Sequence, residues 1–407
     1  LSLVRRLRRG AAPAQLVPRA LSAAAAEPTP SVSAPAAGSL PLWCLLVFVS
    51  GYVIVAVEIL WVRVLGQAGQ FHAYLFPTVL GVFLLADGLG MAVAARRVRR
   101  MRDPRPAFFL AQAGGFVLAA ALLLALWWAL ALPPLEALLM PDRWRLGGRA
   151  FQATLVVIVL VVAPPAFLIG MTFPFVQRAV QRDLAQVGAR VGWVQLANIL
   201  GNAAGSVMTG LVTLHLLGTA GTLALLGVVS LGLALFWVAW AQGVGWSGRG
   251  AAVAAAAACA AVLALVPGNE TFWRRAHGLV PGTAHAWGED RSGVAFWRDD
   301  ALRAGGAEGE HGPFFIMGHA QATIPFLPRH MLLGATGALL HPEPRRIFAV
   351  GVGSGGTPWG AAAVPAVQEL RAVELVAPVL DALRQHAALR PDGAVAALLA
   401  DPRVRLE

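Results

Sequence analysis

Four glycines within six positions, Gly351, Gly353, Gly355 and Gly356 in "FAVGVGSGG", close a short apolar run and open a segment of helical character. Glycine at such a place lets the backbone take positive φ and lets a ligand approach with no β-carbon in the way. Ser354 adds a hydroxyl inside the turn, and Glu374 follows Gly353 by 21 positions, at the end of the next predicted strand. A carboxylate there is placed to accept hydrogen bonds from the two ribose hydroxyls of a nucleoside. A glycine turn alone is equally a tight structural turn. The flanking strand, helix and spaced acid move the reading to nucleoside binding. A dinucleotide site of the same architecture stays open, whereas no Gly-Lys-Ser/Thr follows, so a kinase-type phosphate loop is excluded.

The elements that must hold these residues read as a strand over "RRIFAV", a helix over 357–367, a strand in "ELRAVELV", a helix through "APVLDALRQHAAL" and a strand beginning in "RVRLE". Strands alternating with helices predict a parallel, doubly wound α/β sheet of the Rossmann-like, methyltransferase type. Charges, histidines and glycines return after Pro267, which sets an extramembrane domain over 268–407.

The rest of the chain is of another kind. Of its 407 residues, 57% are hydrophobic and only 13% charged, and the mean hydropathy is +0.66. That is too apolar for an ordinary soluble domain and predicts an integral membrane protein. Seven apolar stretches, 42–65, 74–95, 107–132, 151–175, 193–217, 219–241 and 251–267, approach the roughly 20 residues that a helix needs to cross the hydrocarbon. Backbone amides must be paired inside lipid, so these are expected as a helical bundle over 41–267. Residues 1–40 form an Arg/Ala/Pro-rich arm that reads as disordered or as a transit peptide.

The formal net charge is +11 and all 32 basic residues are arginine. They cluster beside apolar spans, which is the pattern of topology signals and not of a nucleic-acid face. "ARRVRRMRDPR" at 95–105 carries six arginines and the loop 176–190 adds Arg178, Arg182 and Arg190, so both loops and the arm are expected in the cytoplasm. The loop 133–148 has mixed charge and is expected outside. Cys44 and Cys259 both lie in apolar stretches, so neither a disulfide framework nor a metal site is expected.

Ionisable residues at membrane depth are costly unless paired or facing a cavity, so Glu58, Arg63 and Asp87 are candidates for an intramembrane polar site or for an interhelical pairing. Asn198 and Asn202, four apart and beside Gly201 and Gly205, favour close helix packing with amide bonds across the contact, with ligand binding as the alternative. His72 and His215 near span ends, and Trp127, Trp128, Trp237 and Trp240, read as interfacial residues.

Taken with "FFIMGHAQAT", "HMLLGATGALLHPEPRRIFAVGVGSGGT" and "AVELVAPVL", and in the membrane part "SGYVIVAVEILWVRVLG", "GMTFPFVQRAV" and "VGWVQLANILGNAAGSVMTGLVTLHLLG", the chain resembles the spermidine synthase-like aminopropyltransferases in their bacterial multi-span form. The resemblance implies transfer of an aminopropyl group from decarboxylated S-adenosylmethionine to putrescine or a related amine, without a metal. It further implies that Gly351, Gly353, Gly355 and Gly356 hold the nucleoside, that Glu374 takes the ribose and that Gln321 lies near the donor. The chain departs from that pattern at Ser354, where typical synthases carry an Asp, and after Gln321, where "ATIPFLPRH" replaces an acidic pair. A diamine would meet Arg329 and His330 there, which is the wrong charge for it. The family's catalytic Asp would fall after Glu407, and the chain is expected to be a fragment cut at both ends. Alternatives are a non-catalytic carrier or sensor binding a nucleoside or polyamine, and a membrane-tethered methyltransferase using S-adenosylmethionine. The expected location is the bacterial inner membrane. An inside N-terminus and seven spans would put the C-terminal domain outside, but Arg274 and Arg275 favour a cytoplasmic domain, with 251–267 not crossing.

Overall fold

Membrane-length helices dominate the computed structural model, which describes residues 39–68, 74–132, 148–181, 186–240, 246–279, 281–299 and 312–407. The N-terminal arm, His72, Arg182 and almost all of the loop 133–148 lie outside the described residues. The helices are α1 (Leu40–Ala68), α2 (Leu75–Val98), α3 (Arg105–Ala129), α4 (Gly148–Gly170), α5 (Thr172–Val180), α6 (Val187–Met208), α7 (Leu214–Trp240) and α8 (Trp246–Leu265).

Six stretches are long and apolar enough to cross a membrane, and one of them, Val187–Trp240, has 54 residues. At 1.5 Å per residue a straight helix of that length would run about 80 Å, far beyond the roughly 30 Å of hydrocarbon. A π-helical turn at Thr209–Thr213 joins α6 to α7, and the helix breaks at Gly218, where φ is 67° and ψ −170°. That break separates the two spans expected at 193–217 and 219–241. Leu216 and Leu217 on one side and Leu223 and Leu226 on the other continue the apolar pattern, so only the glycine marks the division.

Two apolar clusters fill the bundle. One gathers Trp43, Val98, Phe108, Phe109, Phe175, Val180 and Trp237. It marks the end of the bundle that carries the arginine-rich loops: α2 has Arg96 and Arg97 in its last turn, and the Arg105 guanidinium lies 5.9 Å from the Trp240 ring. The other contains Trp61, Leu65, Leu123, Leu126, Phe272, Trp273 and Phe296, and so joins the bundle to the C-terminal lobe. Trp127 at the far end of α3 stacks on Phe272 at 5.7 Å and donates from Nε1 to the Phe272 carbonyl at 2.8 Å. Since α3 is 25 residues long, the arginine loop that precedes it and the lobe that packs on its other end are separated by about 37 Å. The interface-anchor reading is corrected for Trp237, which is 3% exposed and held inside the protein by stacking on Phe109.

After α9 (Asn269–Ala276) come β1 (His285–Glu289), β2 (Val294–Arg298), β3 (Gly312–Ile316) and β4 (His319–Ile324), an antiparallel sheet in that order. Then follow α10 (Pro328–Leu340), β5 (Arg346–Val350), α11 (Gly356–Ala362), β6 (Glu369–Val373), α12 (Pro378–Leu389), α13 (Ala394–Ala400) and β7 (Val404–Leu406). Strands β5, β6 and β7 form a parallel sheet in that order. The predicted alternation of strand and helix is present, and α13 is an addition to it.

Among the described residues helices cover one face of this parallel sheet. Ile347, Ala349, Leu370, Ala372, Val404 and Leu406 pack on one side with residues of α11, α12 and α13. Phe348 and Val350 on the other side are 64% and 84% exposed. Consecutive right-handed crossovers place their helices on the same face, which accounts for the one-sided cover.

Two buried histidines tie the lobe's stability to pH. His277 stacks on Phe296 at 4.2 Å and its Nδ1–H donates to the Trp273 carbonyl at 2.9 Å. Burial, with the nearby Arg298 charge adding to it, pushes its pKa down to about 4. His386 meets the Trp297 ring edge-on at 4.5 Å, and burial, then Arg390, lowers it to about 4 as well. In an unfolded chain both would titrate near 6.5, so between pH 6.5 and 4 the unfolded state binds more protons and stability is lost as the pH falls. Each ring is expected to cost on the order of 3 kcal/mol by pH 4. Thermal unfolding at pH 7.5 and 4.5 checks this: His386→Leu should flatten the pH dependence, and an unchanged slope would contradict the assignment.

Candidate functional site

Strand β5 ends in a bend whose three glycines have φ of 93° (Gly351), 56° (Gly353) and 98° (Gly355). Side chains with a β-carbon are strained in that region, so the turn requires glycine at each. The first half of the bend is open: a β-carbon at Gly351 or Gly353 would meet nothing within 4 Å. The second half is packed, since one at Gly355 would lie 2.8 Å from Leu398 and 3.2 Å from the Phe326 ring, and one at Gly356 would lie 3.0 Å from His330.

Glu374 reaches this bend. Its Oε2 accepts from the N–H of Val352 at 2.8 Å and of Gly353 at 3.1 Å, while Oε1 accepts from Val376 N–H at 3.1 Å. The carboxylate and the glycines are therefore brought together as the spacing predicts, and the carboxylate already holds the bend in shape. The Ser354 hydroxyl is buried, and its Oγ has no hydrogen-bond partner among the described residues.

Gln321 is the outlier of the set. It stands exposed on β4 and makes no hydrogen bond to the bend. Nearby, the Arg329 Nε donates to His330 Nε2 at 3.4 Å. Partial burial, then the Arg329 charge, lowers the His330 pKa, which keeps the ring an acceptor. The start of α10 thus presents a cation beside the bend and no carboxylate.

The membrane candidates separate. Arg63 leaves the end of α1 and enters the β1–β2 turn. Its Nη2 donates to Glu289 Oε1 at 3.2 Å, to the Asp290 carbonyl at 2.5 Å and to the Gly293 carbonyl at 3.0 Å. Its side chain is 7% exposed and that of Glu289 2%. The same Oε1 accepts from Thr219 N–H at 2.8 Å and from its hydroxyl at 2.5 Å. Asn269 completes the clasp, accepting from Ala220 N–H at 2.8 Å and donating to the Leu217 carbonyl at 2.6 Å. A helix start within the membrane region is thus capped from the lobe by Glu289 and Asn269. His215 lies at the same seam, with Nδ1 3.9 Å from Asp290 Oδ2.

Glu58 and Asp87 are half-buried in α1 and α2 and make neither a hydrogen bond nor an ion pair among the described residues. The structure does not bring Arg63 to them. Asn198 and Asn202 serve packing: a β-carbon at Gly201 would lie 2.2 Å from the Phe48 carbonyl and one at Gly205 2.6 Å from that of Tyr52. With its amide nitrogen turned inward, Asn202 donates to the Gly51 carbonyl at 3.2 Å. Among the described residues no cluster of three or more His, Cys, Asp or Glu could hold a metal ion.

Glu289, Thr219 and Asn269 escaped the sequence reading. The acid pair Glu289–Asp290 closing a strand, and the glycine dividing two apolar spans, were the available signals.

No family model, curated protein or solved structure matches this chain.

Proposed function

We propose that this chain is a membrane-bound protein of the spermidine synthase-like type whose C-terminal lobe binds an adenosyl-type nucleoside at the glycine bend. One observation carries the reading: Glu374 lies against a bend whose first half, Gly351 to Gly353, is open to a ligand. A ribose diol placed there would donate to Glu374, and the exposed backbone of Gly351 and Gly353 would admit the sugar. The ligand is decarboxylated S-adenosylmethionine or S-adenosylmethionine, and the amine acceptor of an aminopropyl transfer would enter beside it. The catalytic group of such a transfer is unassigned among residues 1–407.

A second reading, nucleoside binding by a carrier or sensor without turnover, is favoured by two observations. Arg329, donating to the neutral His330 ring, supplies positive charge where a diamine needs carboxylates. The arginine-rich loop before α3 lies at the opposite end of the bundle from the lobe, and by the positive-inside rule the lobe then faces away from the cytoplasm. The Arg275 guanidinium is 5.4 Å from each of the Trp127 and Trp128 rings, so packing at the seam accounts for it without a topological role. Burial of the bundle in a bacterial inner membrane fits either reading.

Calorimetry on the full chain in detergent with methylthioadenosine tests the shared claim. Binding is expected, weakened at least tenfold by Glu374→Gln, since the amide presents a donor where the diol also donates. No binding by the folded wild-type chain would end both readings. A reporter fused after residue 282 separates them: an external signal selects the sensor and a cytoplasmic one restores the transferase.

A further inference from the structure

We propose that occupancy of the glycine bend is coupled to the membrane helices through the Glu374–Ala377 loop and the β1–β2 turn, an inference that rests on the nucleoside reading above. The two regions are joined by consecutive contacts. Glu374 Oε1 accepts from Val376 N–H at 3.1 Å. The next residue, Ala377, donates its N–H to Ser292 Oγ at 3.2 Å. A β-carbon at Gly293 would lie 3.0 Å from Val376 Cγ1, so the turn also packs against the Val376 side chain of the loop. Ser292 is fixed in the turn by Asp290 Oδ1, which accepts from its N–H at 2.6 Å and its hydroxyl at 2.5 Å. The Asp290 and Gly293 carbonyls of that turn hold Arg63 of α1. Glu289, the residue before it, caps the helix that restarts at Thr219.

Coupling requires an element with two arrangements that a ligand distinguishes. Glu374 is that element. Without ligand its two oxygens hold Val352, Gly353 and Val376. The carboxylate offers about four lone-pair sites, of which Val352, Gly353 and Val376 take three. A diol that donates both hydroxyls needs one more than is free, and a diol held on Oε1 displaces that oxygen's single bond, from Val376 N–H. Losing that bond frees the loop from Ser292, and the turn then grips Arg63 and Thr219 less firmly. Binding at the bend should therefore loosen the seam. By reciprocity a loosened seam should favour binding.

Hydrogen–deuterium exchange on the full chain in nanodiscs, with and without saturating methylthioadenosine, reads the coupling directly. Peptides covering 217–222 contain the Thr219, Ala220 and Gly221 amides held by Glu289 and Asn269, and their exchange is expected to rise at least threefold on binding. Ser292→Ala should remove that rise while methylthioadenosine still binds. Glu289→Gln should lower the Kd at least fivefold, the lower end of ordinary coupling. If that variant fails to fold, Ser292→Ala carries the test alone. Binding with unchanged exchange at 217–222 overturns the coupling and leaves the nucleoside site standing. Absence of binding overturns both.

Discussion

Arg63→Met is expected to lower the stability of the joined bundle and lobe by about 3–5 kcal/mol, the range for removing one member of a buried ion pair. The substitution keeps an apolar stem of similar length, so the loss comes from what it leaves behind. Glu289 would stay 2% exposed with its negative charge opposed only by the Thr219 donors, and the Asp290 and Gly293 carbonyls would lose their shared donor. Unfolding of the full chain in mixed micelles measures the change, and limited proteolysis should show new cleavage between α8 and β1. The double variant Arg63→Met/Glu289→Leu should recover part of the loss, since two apolar groups leave no uncompensated charge. A loss of less than about 1 kcal/mol in the single variant would mean that the pair contributes no more than an exposed surface salt bridge.

This seam explains why part of the molecule was legible in the sequence and part was not. The bundle was readable because lipid imposes length and apolarity segment by segment, and each span carries that record independently of its neighbours. The glycine bend with Glu374 was readable for a similar reason: a strand, a turn needing positive φ and an acid at the next strand end form a local pattern within 30 residues. Arg63 was visible only as a charge out of place. Its partners, Glu289, Asp290 and Gly293, lie more than 220 residues later, and no periodicity links a membrane helix to a distant hairpin turn. Gln321, whose role the resemblance implies, stands exposed on β4. The antiparallel sheet was missed because its strands are short and irregular in pattern, with β2 buried at every position and a register shift between Phe314 and Phe315. Neither gives the alternation by which a half-buried strand is recognised.

Gly201→Leu should be among the most damaging single changes in the bundle, costing more than about 3 kcal/mol. Helices α1 and α6 approach so closely there that even a β-carbon would lie 2.2 Å from the Phe48 carbonyl oxygen and 2.9 Å from its Cα. Both obstacles are backbone, so no rotamer change relieves the overlap and the helices must separate. In lipid this matters more than it would in water, because helix association there relies on close packing and interhelical hydrogen bonds and not on expulsion of water. Separation would also stretch the contact of Asn202 with the Gly51 carbonyl and draw α1 away from the helix that runs on to the Gly218 break. Gly192 on the same helix supplies the control: a β-carbon there meets nothing within 4 Å, so Gly192→Leu should change stability by less than about 1 kcal/mol. Equal losses at the two positions, measured by unfolding in mixed micelles, would show that helix propensity and not interhelical contact governs this face, and the small-residue packing assigned to Gly201 and Gly205 would have to be abandoned.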